Sequence, residues 1–173
     1  TLIIPLAVLF LEYKLPVLGS GAVPNLPVEI NRAGVFVFIA FPLFVSAAWG
    51  GVLTSFTTGI FTGTFLGLFL THNLFSIVEW GFLGVFLGLA LNQNYRTAFY
   101  RLLRRPLGAS VLVWVIYLPL FLLSSFFSIP GSLAERLDFA LAQNWLNYLS
   151  RGIELVLAGL TFELVYLLFP AIR

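Results

Sequence analysis

VLTSFTTGIFTGTFLGLFL, Val52 to Leu70, runs for nineteen residues without a charge. As a helix rising 1.5 Å per residue it would be about 28 Å long, close to the ~30 Å hydrocarbon core of a bilayer. Gly59, Gly63 and Gly67 recur every four residues, so one face of that helix is nearly bare backbone. Thr54, Ser55, Thr57, Thr58, Thr62 and Thr64 surround it. The next apolar run continues the theme with Gly81, Gly84 and Gly88. In lipid, small residues let helix backbones approach closely, and hydroxyls can bond across the contact. The six glycines are therefore expected to pack two neighbouring helices together. A homodimer seam and a hydroxyl-lined ion path are the alternative uses of the same stripe.

The rest of the chain is of the same kind. Of its 173 residues, 60% are hydrophobic and 9% charged, where soluble domains carry about 25% charged residues. That composition excludes a soluble globular domain, a disordered tail and a nucleic-acid-binding module. No cysteine is present and His72 is the single histidine, which excludes thiolate or multi-histidine metal sites within one copy. No cofactor or metal is expected. No Ser-His-Asp, HExxH, Walker or GxSxG pattern occurs, so enzyme activity is not expected either. Without a methionine at Thr1, the chain reads as processed or as a piece of something longer.

Apolar runs separated by turn residues divide the chain into six spans, at about 1–15, 31–49, 52–70, 74–91, 107–127 and 152–169. The count falls to five if the first run is too short to cross. Pro42 is expected to kink the second span, and Gly50-Gly51 to turn the chain between the second and third. The fold class is thus an all-α polytopic transmembrane bundle forming one membrane domain over residues 1–173. Arg96, Arg101, Arg104 and Arg105 crowd one short loop, and the positive-inside rule assigns it to the cytoplasm. Alternation then makes both termini cytoplasmic, in a multi-pass protein of the inner membrane. Residues 132–148 differ: Leu133, Leu137, Leu141 and Trp145 repeat every four residues among charged and amide side chains. This segment reads as an amphipathic helix at the outer interface, in contact with lipid or capping the bundle.

Ionisable residues within the spans need a partner or a purpose, because insertion of each costs around 2.5–3.5 kcal/mol. The outer half gathers Asn31, Arg32, His72, Asn73, Glu79, Trp145, Arg151 and Glu154, the candidate ligand-binding set. Arg151 and Glu154 are three apart, a spacing at which helix side chains meet. Arg32 and Glu79 sit at compatible depths for a second pair. Glu154 and Glu163 are nine apart and face opposite ways, which argues against a paired-carboxylate site. Two uses remain open for the outer set: ion pairs that hold helices in register, or a polar cavity that admits a ligand.

The stretch from Asn31 to Leu91 resembles the five-transmembrane Lyt-type sensor domain of bacterial histidine kinases and related signalling proteins. The matching positions are Asn31 and Arg32, then Gly50, Gly51, Gly59, Gly63 and Gly67, then Glu79, Gly81, Gly84 and Gly88. The chain is also similar in size and span number to the substrate-binding S-components of energy-coupling-factor vitamin transporters. The resemblance implies a sensory membrane domain with a small or lipophilic ligand in its outer half. Its last span would pass a signal towards a cytoplasmic output domain, with Pro170-Ala171-Ile172-Arg173 as the exit. A vitamin-type uptake subunit and a structural accessory subunit of a larger membrane complex are the alternatives. Expected partners are the lipid bilayer, such a ligand, and an output domain or second copy of the chain, with no nucleic acid.

Overall fold

The computed structural model describes residues 12–14, 34–36, 38–69, 73–94, 96–128, 131–143 and 145–168. Among the described residues it is mostly helical, and a two-stranded antiparallel sheet departs from an all-α fold. Strand β1 (Glu12–Lys14) pairs with β2 (Gly34–Phe36) in the register Glu12↔Phe36. Helices follow in the order α1 (Phe41–Phe69), α2 (Phe75–Asn92), α3 (Ala98–Leu103), α4 (Pro106–Ser128), α5 (Leu133–Asp138) and α6 (Trp145–Leu168), with a π-helical turn at Phe139–Gln143. Among the described residues, three helices are long and apolar enough to cross a membrane: α1, α2 and α4. Helix α6 has 24 residues, long enough to cross, but carries Arg151, Glu154 and Glu163.

Helix α1 is two arms joined at Gly51, whose backbone is non-helical at φ 75° and ψ −164°. The Ser55 hydroxyl donates to the Leu43 carbonyl at 3.4 Å. Residues twelve apart in a straight helix would be about 18 Å apart, so the chain folds back at Gly51. The first arm, 41–50, is about 15 Å long and too short to cross, whereas 52–69 reaches about 27 Å. That combination of φ and ψ is open essentially to glycine alone. Space is not limiting, since an added Cβ would meet nothing within 4 Å. Gly51→Ala is therefore expected to cost about 1–3 kcal/mol of backbone strain, read as a lower melting temperature in detergent. The matching Ala substitution at exposed Thr57 should change it little.

Three stretches differ from the sequence expectation. The run 31–49 is not one helical span: β2 is extended, and helix begins only at Phe41. Pro42 falls in the first helical turn, where its missing N–H costs nothing, so it starts the helix instead of kinking it. The β-branched and aromatic residues of Gly34-Val35-Phe36 suit an extended strand. Likewise 12–14 are strand, so the first run is not helical through residue 15. The amphipathic stretch 132–148 is also divided. Ser132 and Glu135 close a capping box that starts α5, and α5 ends at Asp138. Trp145 and Tyr148 belong to α6, which begins seven residues before the expected span.

The second arm of α1 and α2 lie antiparallel with their backbones in contact. A Cβ on Gly63 would stand 2.5 Å from the Ser76 carbonyl oxygen, and one on Gly67 2.9 Å from that of Asn73. Gly59 meets the Trp80 carbonyl and Gly84 that of Ser55. Gly81 faces the Ile60 side chain and Gly88 the Val52 backbone. Asn92 closes the far end, donating to the carbonyls of Ala47 at 2.7 Å and Gly88 at 2.9 Å. Phe44, Trp80, Tyr117 and Phe162 are the largest fully buried side chains, and they join all four long helices.

Helix α4 is tied to α6 by aromatic rings. Trp114 and Tyr148 stack at 5.2 Å between ring centroids. Trp114 Nε1 donates to the Tyr148 carbonyl at 3.2 Å, and the Tyr148 hydroxyl donates to the Trp114 carbonyl at 3.0 Å. Gly152 leaves room for the Trp114 indole, which stands where a Cβ would be.

Candidate functional site

Helices α2 and α6 begin at the same end of the bundle, where α4 finishes. Glu79 lies about 6 Å along α2, and Arg151 and Glu154 about 9 and 13 Å along α6. All three are thus placed within the apolar length of the bundle, where a lone charge is costly.

Glu154 is the most enclosed, its side chain only 3% exposed. Its Oε2 pairs with Arg151 Nη1 at 2.6 Å. Its Oε1 accepts the backbone N–H of Phe36 in β2 at 3.0 Å. The second contact explains how extended backbone is tolerated at this depth: non-helical amides inside a membrane must be buried in protein or line a cavity. The guanidinium carbon of Arg151 stands 4.7 Å from the Trp80 ring centroid. Arginine over a desolvated tryptophan face gains a cation–π attraction in addition to its ion pair.

Tyr117 brings α4 into the group. Its side chain is buried, and Glu79 and Arg151 are its charged neighbours. Glu79 is itself buried and faces the interior. Arg151 thus pairs with Glu154 and lies within electrostatic range of Glu79 and Tyr117. Beside it, two buried polar atoms make no hydrogen bond among the described residues: Trp80 Nε1 and Ser150 Oγ. Buried polar groups ordinarily find partners, so this centre has hydrogen-bonding capacity left over. Arg151 retains 18% side-chain exposure.

Of the residues expected at an outer site, the structure brings Glu79, Arg151 and Glu154 together. Asn31, Arg32 and His72 lie outside the described residues, and with them the expected Arg32–Glu79 pair. Asn73 sits at the start of α2, where its Oδ1 accepts the Phe75 N–H at 2.9 Å. Trp145 opens α6 and is 52% exposed, away from the centre. Glu163 is at the opposite end, accepting the Leu107 N–H at 3.4 Å.

Sequence reading missed Tyr117, Trp80, Ser150 and the Phe36 amide. Tyr117 carried a signal, a hydroxyl midway along the otherwise apolar VLVWVIYLPLFLL. Trp80 and Ser150 directly adjoin Glu79 and Arg151. The Phe36 amide carried none, because a backbone donor is visible only once β2 is placed. No family model, curated protein or solved structure matches this chain.

Proposed function

We propose that this chain is a membrane-embedded ligand-binding domain of the sensory kind, with the Glu79–Tyr117–Arg151–Glu154 centre as its site. The observation that carries this reading is the pair of open buried donors, Trp80 Nε1 and Ser150 Oγ, beside an ionic group that among the described residues holds two carboxylates, Glu79 and Glu154, and one cation, Arg151. A cluster that only held helices in register would gain most by satisfying every polar atom. A fitting ligand has a cationic or donor group for Glu79 and an acceptor for the open donors.

In this reading the bundle is polytopic in a bacterial inner membrane. The Arg96–Arg105 loop is cytoplasmic by its charge, and the ionic centre then lies in the outer half. Helix α6 carries Arg151 and Glu154 near its outer end and Glu163 near its inner end, so it is the path for a signal. The expected five to six spans include residues 1–33, most of which lie outside the described residues.

The test is a thermal-shift screen of the purified protein against small amines, amino acids and vitamin-sized amphoteric compounds. Hits should stabilise the protein, be lost in Glu79→Gln and persist in Glu163→Gln. The amide keeps the shape of Glu79, so Glu79→Gln itself should change the unliganded melting temperature little. Hits that stabilise Glu79→Gln as well as the parent would rule out this centre as the site.

A further inference from the structure

At the opposite end of the bundle, α3, the start of α4 and the end of α6 enclose a cleft of about 640 Å³. Arg101, Arg104 and Arg105 line it, with Glu163, Tyr166 and Leu167. Three arginines against one glutamate leave a formal charge of +2. All three are exposed, and none has an ion-pair partner among the described residues. Pro106 starts α4 directly after Arg105, so the positive end of a 23-residue helix also faces this region. Gly108 lets the Leu102 carbonyl rest against the first turn of α4, which holds the short helix with Arg101 over the cleft.

The cleft opens onto an apolar track. Leu167, on its wall, is 74% exposed, and Leu164 and Leu160 continue along the same face of α6 at 49% and 45%. Spacings of three and four residues make that stripe continuous along the helix. It runs from the arginines into the depth that acyl chains occupy. A free anion would use the guanidinium groups alone, whereas a lipid would use the guanidinium groups and the adjoining track together. We propose that the cleft holds the phosphate of an anionic phospholipid, with an acyl chain lying along Leu167, Leu164 and Leu160. Arginine suits a phosphate through its paired, fork-like donors.

The experiment uses the full chain in detergent, with dioctanoyl phosphatidylglycerol, dioctanoyl phosphatidylcholine and inorganic phosphate as probes. Binding is read by native mass spectrometry and thermal shift. Phosphatidylglycerol should be retained and phosphatidylcholine should not. A basic residue near anionic lipid contributes about fivefold in affinity, so Arg104→Gln with Arg105→Gln should weaken phosphatidylglycerol by roughly 25-fold. Glu163→Gln, which removes the opposing charge, should tighten it. Arg96→Gln lies in the same loop but outside the cleft and should change nothing. Equal loss on Arg96→Gln would reduce the effect to diffuse surface charge and overturn the site. Equal binding of phosphatidylcholine, or complete displacement of phosphatidylglycerol by millimolar phosphate, would overturn the lipid assignment.

Discussion

Replacing Arg151 with leucine is expected to destabilise the bundle by about 3–5 kcal/mol, the range for breaking a buried ion pair by removing one partner. Among the described residues, the variant leaves the buried Glu154 carboxylate with the Phe36 amide alone, and it removes a cation near Glu79. Arg151→Lys should fall between the two. It keeps the charge but loses the planar group that stands over Trp80 while pairing with Glu154. Arg151→Leu combined with Glu154→Leu should recover part of the loss, because the lone Glu154 charge is gone while Glu79 and the Phe36 amide still lack Arg151 and Glu154. Reversible unfolding in mixed micelles reads all three. A loss under 1 kcal/mol for Arg151→Leu would mean that the ion pair carries little of the bundle's stability.

Gly63→Leu is the second large effect. Its Cβ would stand 2.5 Å from the Ser76 carbonyl oxygen and 2.7 Å from the Ile77 Cα. Both are backbone atoms of α2, so no rotamer change relieves the clash and the helices must separate. Overpacking typically costs about 1–3 kcal/mol and occasionally more, and a backbone-to-backbone contact belongs at the upper end. Gly63→Ala should already be destabilising for the same reason. Phe61→Leu, on an exposed face of the same helix, should be nearly neutral. An unchanged melting temperature for Gly63→Leu would place the glycine face against lipid.

The features legible in the sequence were those with a local cause. Glycines at four-residue spacing mark a face for close approach whatever helix supplies the partner, and the structure supplies α2. Arg151 and Glu154 are three apart on one helix, so their pairing needed no knowledge of the fold. Features set by tertiary contact were less visible. Residues 31–49 looked like one apolar span because strand and helix are equally apolar when buried, and periodicity cannot separate them. Trp145 and Tyr148 fitted an interfacial helix by pattern, but Tyr148 is held by Trp114 on α4. The ionic centre was half legible: its charges stood out against apolar runs, but Tyr117 and the Phe36 amide arrive from other elements.

The central claim is that this centre communicates with the aqueous phase instead of being sealed. The chain has no cysteine, so one introduced thiol reports without background. Ser150→Cys places it one helical turn before Glu154 on α6, and Ser110→Cys, fully buried in α4, serves as control. A small cationic methanethiosulfonate reagent is applied to right-side-out and inside-out vesicles. Ser150→Cys should be modified only from the face opposite the Arg101–Arg105 loop, and Ser110→Cys from neither. Failure to label Ser150→Cys from either face, with full labelling once the protein is denatured, would contradict the account and leave a closed structural ion pair.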